Sequence, residues 1–236
     1  MITTVKRRLH RDIVADPLLH GLVLNLYLNG ECYPHRVTDY FPLAAAVDAE
    51  LEALMRRHMS EEERHIALYT RAIQKLEQPV LELPLPDIYN EVIRRHTTAS
   101  FAIAAADGLD ARRLKLAHFF AHLHFLEKRI ARSLEYHVDA CAHAVSDYPE
   151  KAVSTVLRDE LRHVSYTREV VRHLLPAGEA AAVLTLHARA ERRANLDFSA
   201  RQLGRLLREH ASRFPRVRGA FYRGCTSLLR GALACA

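Results

Sequence analysis

Two short segments of this 236-residue chain carry side chains that could hold metal ions. "EEERHIALYT" begins at Glu61 and "RDELRHVSYT" at Arg158, and each contains Glu-x-x-His, at Glu62/His65 and Glu160/His163, 98 residues apart. On a helix, residues i and i+3 share a face, so each Glu and His point together. Around the second motif that face reads Val153, Val156/Leu157, Glu160, His163/Val164, Thr167, Val170/Val171, Leu174. Around the first it reads Met55, Met59, Glu62, His65/Ile66, Tyr69, Ile73, Leu76. Both apolar stripes are interrupted at the same phase. A buried carboxylate costs several kcal/mol unless it is paired or bound to a cation, and a shared metal explains both interruptions at once.

Two more acids complete the candidate set. Glu127 interrupts a stripe of Leu116, Phe120, Leu123, Ile130/Ala131 and Leu134, and it precedes Glu160 by 33 residues. Glu31 follows Leu24 and Tyr27/Leu28, 31 residues ahead of Glu62. Four carboxylates (Glu31, Glu62, Glu127, Glu160) and two imidazoles (His65, His163) neutralise two divalent ions, and oxygen with nitrogen donors suits iron or manganese. Glu135 rivals Glu127 because it lies nearer the expected turn. Glu31 can also be read as a surface acid at a helix end, since Pro34 follows within one turn.

The elements that must position these residues are helices. Apolar residues recur at three and four, and only 8 Gly and 9 Pro occur. Asp16-Pro17 reads as an N-cap with proline at N1, opening a helix to about Tyr33. Further helices are expected over Leu43–Leu76, 88–107 and Ala111–Val145, with "SDYPE" as a turn before a helix opened by Pro149 and ending at "LLPAG". Glu179–Ala211 and a segment from Pro215 to about Leu233 follow. The fold class is all-α: two helical hairpins joined by a crossover, with accessory basic helices over 177–236 added to a core at 16–176, in one domain.

The arrangement resembles the ferritin-like di-iron carboxylate superfamily, in which two helices give one Glu each and two give Glu-x-x-His. "DELRH" at Asp159–His163 is similar to the second motif of bacterial multicomponent monooxygenase hydroxylases, and "DELRHVSYTREVV" to a helix of acyl-carrier-protein desaturases. The resemblance implies a ferritin-like four-helix bundle holding two Fe ions (or Mn, or a mixed pair), with O2 as co-substrate. It also implies that Asp159, and by analogy Glu61, hydrogen-bond the outer nitrogen of a ligating His, with Arg64 and Arg162 beside them. Val156 stands where the arylamine N-oxygenase branch has an additional ligand His, which disfavours a seven-ligand site of that design. His124 shares a face with Glu127, as a further donor or as a core histidine. Tyr69 and Tyr166 read as core residues near the motifs.

The expected function is an oxygen-activating non-haem di-iron oxidoreductase, a hydroxylase or oxidase of a small organic substrate that draws on an electron donor. Alternatives are a ferroxidase or peroxide scavenger, a tRNA-modifying di-iron hydroxylase, and a metal-free helical scaffold. Residues 186–236 hold eleven Arg against three acids, which suits an acidic partner or nucleic acid. The four cysteines form no CxxC pair, and the N-terminus shows no secretory pattern, so a cytoplasmic protein with reduced thiols is expected. No apolar run approaches the roughly 20 residues that span a bilayer. The apolar face of the last helix leaves a homodimer open.

Overall fold

The computed structural model describes residues 2–141 and 147–235, and these form helices, turns and loops with no strand among them. Eight α-helices follow in order: α1 (Ile2–Val14), α2 (Pro17–Glu31), α3 (Ala49–Lys75), α4 (Tyr89–Arg95), α5 (Leu109–Cys141), α6 (Asp147–Leu174), α7 (Ala177–Glu209) and α8 (Arg216–Ala234). Among the described residues no helix is long and apolar enough to cross a membrane. All four cysteines are free.

Helices α2 and α3 pair as one hairpin, α5 and α6 as another, and α3 packs on α6 to join them. Asp16 opens α2 as the sequence predicts, accepting hydrogen bonds from the backbone N–H groups of Leu18 and Leu19 at 3.0 and 3.2 Å. Asp48 does the same for α3 through Leu51. The core of α2 contains two buried asparagines, and both serve the connection after α3. Asn25 donates to the Pro79 carbonyl and accepts from Leu81 N–H, and Asn29 donates to the Leu81 carbonyl and accepts from Leu83 N–H. The extended segment is thus zipped onto the helix by side-chain amides that stand in for a neighbouring strand. Its close approach requires Gly21, where an added Cβ would meet the Gln78 Cβ at 2.7 Å.

Several sequence expectations are corrected. Residues 2–14 form a helix that the sequence reading left unassigned, and it packs on α5 and α2. Leu43–Ala45 is only a 3-10 turn, so α3 starts at Ala49. The helix expected over 88–107 stops at Arg95. Beyond it, Phe101 and Ile103 alternate with exposed Ser100, Ala102 and Ala104, the period of extended chain laid on the core. Helix α6 starts at Asp147, and Pro149 lies within its first turn, where a missing N–H costs nothing. Val145 and Ser146, placed at the end of one expected helix and in the following turn, lie outside the described residues.

The late start of α3 shapes the site. Glu62 sits 13 residues into α3 whereas Glu31 is the last residue of α2, so α3 overhangs the end of α2 by about 20 Å. The connection between them lies back along this overhang and buries Tyr33, Val37 and Phe41. On the far side, α7 packs against α4 and α5 and carries α8. Part of the basic charge there is spent internally, since Arg218 bonds Asp12 and Arg213 bonds Asp16 at 3.3 Å. Helix α8 buries Tyr222 and Thr226 and turns Val217, Phe221 and Leu228 outward.

Candidate metal centre

All six residues singled out by the sequence converge between α2, α3, α5 and α6. Glu31, Glu62, His65, Glu127, Glu160 and His163 are each no more than 7% exposed. Glu31 is inward although it ends its helix, whereas Glu135 points outward to Arg132. Donor atoms of Glu31, Glu62, His65 and Glu160 lie within 4.8 Å of one another, and those of His58, Glu62, Glu127 and His163 form a second such group.

Glu62 and Glu160 reach both motif histidines. His65 Nδ1 is 3.5 Å from a carboxylate oxygen of each, and His163 Nδ1 is 3.3 Å from Glu62 and 3.5 Å from Glu160. Glu31 stands 3.9 Å from His65 Nδ1 on one side, and Glu127 stands with His58 on the other. Two shared carboxylates in the middle, one outer carboxylate at each end and one imidazole at each end are the donors that a pair of divalent ions needs.

The tautomers agree with this use. His65 Nε2 is 3.1 Å from Asp159 Oδ2, and His163 Nε2 is 2.9 Å from Glu61 Oε2. Each acid belongs to the helix opposite its histidine. With Nε2–H donated to the acid, the Nδ1 lone pair faces the carboxylates, and both Nδ1 atoms are buried without a hydrogen-bond partner. Both oxygens of Glu160 are likewise buried and unpartnered. Arg64 and Arg162 bond Asp159, and Arg162 also bonds Glu61 at 3.0 Å. Asp159 and Glu61 thus lie at the outer nitrogens of His65 and His163, with Arg64 and Arg162 beside them.

Charge states follow from burial. Burial and the neighbouring Glu62 push the Glu31 and Glu160 carboxyls well above the ordinary range, and burial with Glu160 does the same to Glu127. Burial also works against ionised Glu62, but Glu31, His58 and His65 around it hold it well below that range. For His163, burial opposes the charge, yet the carboxylates of Glu61, Glu62 and Glu127 raise it. So many acids sharing one buried volume cannot all ionise without a cation.

Sequence reasoning missed His58. It lies one turn before Glu62 and is 1% exposed, with Nε2 2.8 Å from Glu62 Oε1 and 3.6 Å from Glu127 Oε1. Its ring stacks on that of His163 at 3.5 Å between centroids. Nδ1 is 2.5 Å from the Tyr166 hydroxyl, which fixes the ring and leaves Nε2 toward the carboxylates. The signal was present at i−4 from Glu62, but the stripe was traced through Met59, which is only half-buried. The equivalent position on α6 is Val156, fully buried and apolar, so the two halves of the centre differ by this one imidazole.

The other histidines of α5 lie outside the centre. His124 donates from Nδ1 to the Val164 carbonyl at 3.0 Å, and His118 pairs with His187 at 3.1 Å. A cavity of about 20 Å³ touches Glu31, His58, Glu62 and Glu127 and is roofed by Tyr33, Val37, Tyr40 and Phe41. That is room for about one water-sized molecule. Comparison with family models, curated proteins and solved structures returned no match to this chain.

Proposed function

We propose that this chain is an oxygen-activating di-metal oxidoreductase, built as a ferritin-like four-helix bundle that binds two iron ions, or manganese, between its hairpins. The supporting observation is the placement of Glu62 and Glu160, each within 3.5 Å of both motif Nδ1 atoms. Glu31, His65 and the two shared carboxylates would hold one ion, and Glu127, His163 and the same carboxylates the other, with His58 beside the second. Bound there, such a pair supplies two electrons for the reduction of dioxygen. Asp159 and Glu61 keep the histidine protons on Nε2, so the metal-facing nitrogens remain free. Tyr33, Tyr40 and Phe41 exclude bulk water from the side where the cavity opens. The preferred reaction is hydroxylation or oxidation of an organic substrate, which requires the 32–48 connection to move aside.

The cavity supports a second reading. At about 20 Å³ it accommodates dioxygen or peroxide but no organic substrate, which favours a ferroxidase or peroxide scavenger. Anaerobic titration with ferrous iron, followed by oxygen, tests the centre and separates the two reactions. Two irons bind per chain, and Glu62→Ala, which removes a donor common to both groups, binds neither. A single zinc per chain, or iron retained by the variant, would overturn the proposal. Oxygen consumption that produces only ferric iron selects the second reading, while an oxidised organic product selects the first.

The hydrogen bonds around the histidines carry a smaller expected effect. Asp159→Asn leaves His65 without its charged acceptor and is expected to weaken metal binding about 10- to 100-fold. Competition against a chelator measures it, and unchanged affinity would remove Asp159 from the site.

A further inference from the structure

A second group of buried donors lies away from the carboxylates. His20 on α2 and His137 on α5 are fully buried, with their Nε2 atoms 2.9 Å apart, and Cys141 is one turn further along α5 at 5% exposure. One nitrogen of each ring and the Cys141 sulfur lie within 4.8 Å of one another. His10 on α1 brings a third imidazole, its ring centroid 5.9 Å from that of His137. Val14 and Ala140 pack against Cys141, and the Tyr27 ring lies 5.5 Å from His137.

The histidine pair is not satisfied as it stands. When one Nε2–H donates to the other ring's Nε2, the accepting ring must carry its own proton on Nδ1. The Nδ1 atoms of His10, His20 and His137 are all buried without a partner. Whichever ring accepts, a buried N–H is left facing nothing, at a cost of about 1–3 kcal/mol. Burial also keeps the imidazoles neutral, holding His10 and His20 down at about 4 and His137 well below its usual range, so lone pairs are available at neutral pH.

We propose that His20, His137 and Cys141 form a second, mononuclear site for a borderline-soft divalent cation of the zinc or copper kind, with His10 placed to supply a fourth donor. The donor set separates it from the main centre, since imidazole and thiolate favour zinc or copper whereas carboxylate-rich sites favour iron or manganese. Position separates it too. His137 lies 10 residues along α5 from Glu127, or about 15 Å. Binding forms the metal–sulfur bond and releases the Cys141 proton to solvent. Because burial and Glu150 push that thiol up to about 12, affinity rises with pH. The proposal does not rest on the di-metal reading.

Cobalt(II) is the probe, because a thiolate bound to cobalt gives a charge-transfer band that carboxylate and imidazole ligands do not. Titration of the chelator-treated full-length protein is expected to produce this band to one equivalent per chain. Glu62→Ala keeps it, Cys32→Ser keeps it, and Cys141→Ser loses it. His137→Gln weakens cobalt binding by at least the roughly hundredfold that even outer-shell losses reach. Absence of the band in the wild-type protein, which needs no variant to fold, overturns the proposal. So does a band that survives Cys141→Ser. Loss of iron from the main centre with the cobalt band intact leaves this site standing alone.

Discussion

Glu160→Gln is expected to make the metal-free protein more stable while abolishing metal binding. Glu160 is fully buried, and neither of its oxygens has a hydrogen-bond partner. Burial and the charge of Glu62 raise its carboxyl above the ordinary value of 4.5, so folding without metal requires it to hold a proton that the unfolded chain releases. Stability from such a group is present below the unfolded value and is lost as pH rises. The loss begins above pH 4.5 and grows toward neutral pH. Glutamine keeps the shape, carries no proton to lose, and offers an amide to the Glu62 and Glu127 oxygens. The gain is therefore larger at pH 7 than at pH 5 and shrinks to nothing near pH 4.5. Urea unfolding of chelated wild type and variant at several pH values measures it. A variant less stable than wild type at pH 7, or one that still holds two irons, would sink the idea.

Acidification from pH 6 to 5 is expected to destabilise the protein. His20, His58, His122, His137 and His187 are at most 1% exposed, and burial holds each of them neutral in the folded chain. Four of these lie at about 3 to 4, against 6.5 when unfolded. Depressed pKa values give stability that is present above 6.5 and lost as pH falls toward the folded values. Glu31, Glu127 and Glu160 act in the opposite direction above 4.5, because without metal they keep protons in the folded state. His163, raised in the folded protein, is protonated in both states below 6.5 and drops out of this window. Below pH 6 the five histidines taking up protons outnumber the three carboxyls giving them back, so stability falls toward pH 5. Loading the centre as proposed would ionise the three carboxylates and remove their opposition. Urea midpoints at pH 6, 5.5 and 5 decide the matter. A flat or rising series would show that these histidines are not held neutral.

The centre was more legible in the sequence than the chain around it. A Glu and a His three apart on an apolar stripe violate burial in a way that only a shared partner relieves, and Glu62/His65 and Glu160/His163 do so twice. Glu127 and Glu31 were found by the same violation. His58 escaped because an imidazole on a core face breaks no rule by itself. Helix α1 escaped because "ITTVKRRLHRDIV" carries neither a proline nor an acidic residue in its first turn, and its apolar face becomes visible only against α5. The short α4 shows the converse error. Residues 96–107 contain enough apolar residues for a helix, but the Thr97 and Ser100 hydroxyls bond nearby backbone N–H groups and turn the chain instead.

The crossing of acids and histidines between α3 and α6 has a consequence for how the centre comes into being. Asp159 orients a histidine on the other hairpin, and Glu61 returns the service. Neither hairpin alone contains a histidine together with the acid that sets its tautomer. For the proposed centre, a hairpin folded ahead of its partner therefore offers a metal ion a ring whose tautomer is unset, and both tautomers are fixed only when the two halves dock in register. On the proposed function, metal capture thereby becomes a proofreading step for assembly: a slip of one turn between α3 and α6 would break both hydrogen bonds together, and the ions would not stay.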